Sequence, residues 1–399
     1  MALPANRQAR FFVALAIMVA LLNSTAASPL YTSYRVMWSL DAFTVAFIFA
    51  IYAFGTLFAL LVLGRLSDRL RDRRLLIILS LGIVIAGALI FASAGNLATL
   101  LVGRLLAGIG TGGLTGVANA ALIELDPKAD ARANAVLATA VFTGGCALGP
   151  VISSAALYFD AWPLHLPFIL IALLAVIAIV GLATASWLPA ARAVDAPQGG
   201  SADLLPTTGR YAAFTVAAGA LIIAWAVGST FAGLGVTFVH ELLGVNSQAA
   251  SGVIVAAFQL VAGISQLSSQ RLDSNRAMVV GTTLIAVAIL LCAFSIWTAS
   301  PLLFVLGTIG SGIGYGAAFV GAAGVVNRIA PPDRRATWVS TFYITGYLAN
   351  ALPVLALGFL GDWLGLFGAF LCLTAFTAVG TIVVNAAAKI ILPARGLRR

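Results

Sequence analysis

Twelve stretches of the chain stay apolar for about twenty residues or more: 11–33, 43–63, 75–94, 97–121, 133–156, 165–187, 211–238, 247–267, 277–298, 301–327, 336–358 and 364–388. As a helix, each is long enough to cross a hydrocarbon core of about 30 Å, which takes about 20 residues. The runs are continuous, whereas barrel strands alternate apolar and polar positions over about ten residues. The pattern therefore predicts an all-α integral membrane protein with twelve transmembrane helices.

Composition agrees. Hydrophobic residues make up 61% of the 399, and only 9% are charged. Mean hydropathy is +1.07, far above the soluble range. The net charge of +9 reads as an orientation signal rather than a nucleic-acid footprint. Lys and Arg fall at 7 and 10, 65–74, 128 and 132, 192 and 210, 271 and 276, 328–335 and 389–399, in every second loop. The loops between carry only Arg35. Under the positive-inside rule both termini and the basic loops are cytoplasmic, which predicts a multi-pass protein of a bacterial inner membrane, surrounded by lipid. The first span imitates a signal peptide, with small residues near Ala27, but eleven further spans favour a retained helix. Cys146, Cys292 and Cys372 lie inside apolar runs without metal or redox spacing. His165 and His240 lie near outer loops, and no nucleophile–base pair or metal-ligand cluster points to an enzyme.

The chain repeats itself at an offset of about 203 residues. VGRLLAGIGTGG (102–113) aligns with LGTIGSGIGYGA (306–317), matching Gly103, Gly108, Gly110 and Gly112 with Gly307, Gly312, Gly314 and Gly316. Pro127 and Arg132 in the following loop match Pro331 and Arg335. GRLSDRLRDRR (64–74) aligns with QLSSQRLDSNR, with Gln270 where Asp68 stands. Two six-helix halves follow, 1–188 and 211–399, joined by a Pro/Gly/Ala-rich linker at 189–210.

Twelve spans as six plus six, with a basic G-x-L-S-D-R loop after the second, resemble the major facilitator superfamily. The resemblance covers nearly the whole chain. It implies two parallel six-helix repeats with a small-molecule substrate bound between them near the midplane. GRLLAGIG in the fourth span and GGCALGP in the fifth are similar to elements of proton-driven exporters of the drug and arabinose efflux type. The resemblance thus implies a monomeric secondary transporter that uses the proton gradient and no cofactor. Export of a small neutral or anionic molecule is the expectation. An importer or uniporter of the same fold, or a non-transporting scaffold relative, stands as the alternative.

In the family the charged loop is a latch. By that resemblance Asp68 and Arg69, with Arg73 and Arg74, would close the cytoplasmic gate. The dipole at the start of the eleventh helix would attract Asp68 by about 0.3–1 kcal/mol. The plainer reading is a topology signal with solvated charges. The loop departs from the family where it places Arg71-Asp72, putting an acid in the expected place of a cation.

None of the thirteen Asp and Glu falls mid-span. Arg104 is a basic residue well inside a span, about seven residues into the fourth, and a charge there must find partners in the protein interior. It either braces neighbouring helices or senses proton or substrate occupancy. Gly145, Gly149 and Pro150 would let the fifth helix bend and approach a neighbour closely. Family geometry makes Asn23, Ser24, Ser28 and Tyr31 a polar stripe on the first helix, with Ser24, Ser28 and Tyr31 spaced i, i+4, i+7. Tyr343, Tyr347 and Asn350 on the eleventh repeat the pattern. Asn119, and an aromatic, hydrogen-bonding group of Trp225, Gln259 and Tyr315, complete the cavity candidates. Helix packing is the competing explanation for each.

Overall fold

A computed structural model describes residues 5–67, 72–126, 131–187, 207–245 and 247–392. Among these residues every regular element is helical. The helices are α1 (Ala5–Ala26), α2 (Tyr31–Trp38), α3 (Ala42–Ser67), α4 (Arg73–Ala92), α5 (Leu97–Glu124), α6 (Ala131–Tyr158) and α7 (Leu166–Thr184). The series continues with α8 (Thr207–Gly233), α9 (Gly235–Leu242), α10 (Gln248–Ser269), α11 (Ser274–Trp297), α12 (Pro301–Ile329) and α13 (Arg335–Ile391). Eleven segments are long and apolar enough to cross a membrane. The last is a double span. At 57 residues α13 would measure about 85 Å as one straight rod, nearly three bilayer cores. It breaks at Gly365 (φ 74°, ψ 161°), a conformation that costs glycine alone little.

The first and seventh spans differ from the expected continuous helices, and in the same way. α1 stops at Ala26, because Pro29 has no N–H to extend the ladder, and a 3-10 turn over Ser28–Leu30 leads into α2. α8 stops at Gly233, and α9 starts two residues later. The stripe of Ser24, Ser28 and Tyr31 is therefore not on one helix face. Ser24 lies in the last turn of α1, Ser28 in the 3-10 turn, and Tyr31 opens α2.

The chain groups into two compact units. The first comprises the described residues of 1–39, 47–198 and 248–256; the second those of 40–46, 199–247 and 257–399. Within the first unit α5 lies against α4 through Gly103 and Gly110, and against α3 through Gly108 and Gly112. Within the second, α12 lies against α11 through Gly307 and Gly314, and against α10 through Gly312 and Gly316. The eight repeat-matched glycines thus do matched work. A Cβ on Gly110 would sit 2.9 Å from the Ser80 carbonyl, and one on Gly314 2.7 Å from that of Gly281. Backbone approaches backbone there, the small-residue packing that holds helices together in lipid. Helix starts repeat too. The Asp72 carboxylate accepts from the Arg74 amide at 2.8 Å to cap α4. The Asp273 carboxylate accepts from the Asn275 and Arg276 amides, each at 3.1 Å, to cap α11. The acid that departs from the family loop is therefore a helix cap.

Candidate functional site

Arg104 sits on α5 and is 1% exposed. Its Nη1 donates to the Ser24 carbonyl at 3.2 Å. That carbonyl belongs to the last turn of α1, where the break at Ala27 leaves acceptors without intrahelical donors and a partial negative charge. The guanidinium carbon also lies 4.7 Å from the Tyr52 ring centroid and 5.8 Å from that of Tyr31. Two aromatic faces and a helix C-terminus thus share a cation that pairs with no carboxylate among the described residues. Tyr52, on α3, is 8% exposed. Tyr52 was absent from the sequence candidates. Its signal was faint, one tyrosine in an otherwise apolar second span.

On Arg104 itself and on the segment from Asn23 to Thr32, buried polar atoms have no partner among the described residues. They are Arg104 Nε and Nη2, Asn23 Nδ2, Ser28 Oγ, Tyr31 Oη and Thr32 Oγ1. Leaving such groups buried and unsatisfied costs about 1–3 kcal/mol apiece, more for a charged one. What the arrangement can do is receive an acceptor: most of these atoms donate, and the charge is positive.

The same break is closed from the other side by α6. Pro150 cannot donate to the Cys146 carbonyl one turn back, and Thr25 Oγ1 donates to it instead at 2.9 Å. Ser153 Oγ donates to the Ala26 carbonyl at 2.6 Å. Gly145 and Gly149 let α6 lie on α1, since a Cβ at Gly149 would stand 2.6 Å from the Leu22 carbonyl.

The second unit is different in character. Thr308 occupies the repeat position of Arg104 and bonds its own helix, to the Phe304 carbonyl at 2.9 Å. Aromatic rings fill the space. Trp225 meets Tyr347 edge-on at 5.2 Å and Phe319 at 6.2 Å, and its buried indole Nε1 has no partner among the described residues. Tyr315 packs against Gly228 and lies 5.6 Å from Phe258. Trp225 and Tyr347 are thus brought together. Tyr343 is 39% exposed and meets Phe342 instead. Gln259, Asn350 and, in the first unit, Asn119 are half-buried.

The family model of the Major Facilitator Superfamily matches residues 13–277 and 247–395. The chain belongs to that superfamily. It is a multi-pass membrane transporter, with the all-α fold of its kind. Solved transporters share the fold at low identity. A bacterial homologue of the human lysosomal transporter Spinster, in an inward-facing and occupied conformation, superposes with a TM-score of 0.79 at 14% identity, covering 98% of each chain. The nucleoside transporter NupG gives 0.73 at 16%, covering 97% of this chain and all of its own. A POT family transporter in complex with 5-aminolevulinic acid gives 0.76 at 16%, covering 96% of each. No curated protein matches the sequence.

In this superfamily member, Arg10, Arg73 and Arg74 are engaged within the first unit. Arg73 Nε donates to Glu124 Oε1 at 3.0 Å. Arg74 pairs with Asp72 at 3.5 Å and reaches the Leu182 and Ala185 carbonyls that close α7, each at 3.5 Å. Arg10 donates to both Asp126 (3.2 Å) and Asn134 (2.9 Å), and Asn134 donates to Asp126 at 2.7 Å, closing a three-residue ring. Sequence reading missed this ring, whose members are 116 and 124 positions apart from Arg10. Asp68 and Arg69 lie outside the described residues. Among those described, no group of three His, Cys, Asp or Glu could hold a metal ion.

Proposed function

We propose that the protein is a secondary active transporter that exports a small neutral or anionic molecule by proton-coupled alternating access. Residues 1–188 and 211–399 are its moving halves, and 189–210 the linker. It works as a monomer in a bacterial inner membrane, with both termini cytoplasmic, and Asp68 with Arg69 biases the equilibrium between inward- and outward-open states. Arg104 carries the substrate class. A buried cation that, among the described residues, has no carboxylate partner and two unused donors repels a cationic substrate and offers hydrogen bonds to a neutral or anionic one. The Gly149–Pro150 element on α6 supports export.

The test is proton movement in proteoliposomes, read with a pH-sensitive dye, against a panel of sugars, neutral drugs, organic anions and organic cations. Proton flux driven by a neutral or anionic compound is expected, and a response to cations alone would overturn the reading. Uniport is a second reading. It is favoured by the described acids, all of which lie at helix ends and leave no mid-span carboxylate to bind a proton. Substrate flux without proton movement would select it. Cysteines at Arg71 and Gly199 should label from the cytoplasm, and ones at Asp41 and Glu241 from outside.

A further inference from the structure

Near the start of α8 a cleft of about 240 Å³ opens beside the start of α13, lined by Arg210, Tyr211, Pro331, Asp333, Arg334 and Trp338. All six residues belong to the second unit. Trp338 stacks on Tyr211 with ring centroids 5.3 Å apart and meets Phe214 edge-on at 5.4 Å. The indole is half-buried between them, whereas Tyr211 is 58% exposed. Two guanidiniums and one carboxylate line the cleft, so cations outnumber acids by one. Asp333 lies 3.6 Å from Arg334, but both side chains are exposed, and a pair of that kind is weak.

The sequence puts this cleft at a boundary. The apolar run that begins at 211 follows Arg210 directly, and the one that begins at 336 follows Arg334 by two positions. Along both segments charge gives way to rings and apolar residues within a turn or two. Trp and Tyr favour the level where hydrocarbon meets headgroups, and arginine reaches from there into the headgroups. The repeat sharpens the point. In the first unit Asp126 precedes the Pro127 that matches Pro331, and Arg10 and Asn134 both donate to it. In the second unit Ala330 stands in that place, and an alanine cannot join such a ring.

We propose that the cleft binds the phosphate headgroup of an anionic phospholipid, phosphatidylglycerol being the simplest, from the leaflet on the basic side of the chain. Pockets for drug-sized solutes run to about 300–1,000 Å³, so this volume suits a headgroup whose acyl chains stay in the bilayer. Arg210 and Arg334 bond the phosphate oxygens, and Tyr211 and Trp338 border the glycerol and the first methylenes. A choline headgroup would bring its own cation back against the two guanidiniums.

Quenching of tryptophan emission by brominated lipids tests this on the full chain reconstituted in phosphatidylcholine vesicles. The emission lost in Trp338→Phe isolates the Trp338 signal. At equal mole fraction, brominated phosphatidylglycerol should associate with Trp338 about fivefold more strongly than brominated phosphatidylcholine, the worth of one net cation beside an anionic headgroup. Arg210→Gln or Arg334→Gln should bring the two lipids to parity. Asp333→Asn should raise the preference about fivefold again. Arg334→Lys should keep most of it, which separates lost charge from lost fold. Inorganic phosphate, compared with chloride at equal ionic strength, should leave the quenching unchanged. Parity in the wild type, a preference indifferent to the arginines, or a stronger response to brominated phosphatidylethanolamine would overturn the site. Relief of quenching by phosphate but not by chloride would overturn the lipid assignment and make the cleft a site for a soluble phosphate.

Discussion

Thr25 donates its hydroxyl to the carbonyl of Cys146 at 2.9 Å, and Pro150 is the reason that carbonyl is free. A proline inside a spanning helix leaves an acceptor that lipid cannot satisfy. Here the neighbouring helix supplies the donor. Thr25→Val removes the hydroxyl at nearly constant volume and should cost about 1–3 kcal/mol, while Thr25→Ser should cost much less. Thermal unfolding in detergent of both variants checks the ordering. Equal midpoints would mean that the Cys146 carbonyl needs no partner.

Glycines that look alike in the sequence should divide sharply on substitution. Gly110→Ala and Gly314→Ala press a methyl onto a backbone carbonyl and should each destabilise by about 1–3 kcal/mol. Gly116→Ala, with nothing within 4 Å of the new atom, should be neutral or stabilising by up to about 1 kcal/mol. Midpoints of all three variants, measured side by side, would expose an error in the assigned helix faces.

Arg104→Ala should abolish transport, and Arg104→Lys should keep at most a fraction of it, because an ammonium cannot span the Ser24 carbonyl and two ring faces as a planar fork does. Arg104→Met fills similar volume without charge and should leave the protein folded but inactive. An active methionine variant would reduce Arg104 to a packing residue.

The ring of Arg10, Asp126 and Asn134 ties α1 to the ends of α5 and α6. Asp126→Ala removes the charge partner of a guanidinium that keeps its bond to Asn134 and is one quarter exposed, so the penalty should reach about 1–3 kcal/mol rather than the 3–5 of a fully buried pair. Arg10→Gln/Asp126→Asn should recover part of it. Strictly additive losses in that double-mutant cycle would show that the two residues do not interact.

The spans were legible because twenty apolar residues in a row state their requirement without help from any other part of the chain. The matched glycines were legible for a related reason, since a repeat displays its packing positions twice. Partners were harder to read. Pro29 marked a possible break in the first span, but nothing local placed Tyr52 under Arg104 or Thr25 against Cys146. The start of α3 is the extreme case. Its cap lies 320 positions away, and Asp362 reads in isolation as an ordinary charge at a membrane surface.

The termination of α1 at Ala26 has a consequence for how the protein meets a pH gradient. A carboxylate partner for Arg104 would gain and lose its charge as proton concentration changed on either side of the membrane. The end of a helix does not titrate, and no side-chain substitution deletes it. Its partial charge is roughly half an elementary unit, so it offsets only part of the cation. The interior of the first unit thus keeps a constant positive bias, set by backbone geometry and indifferent to acidity.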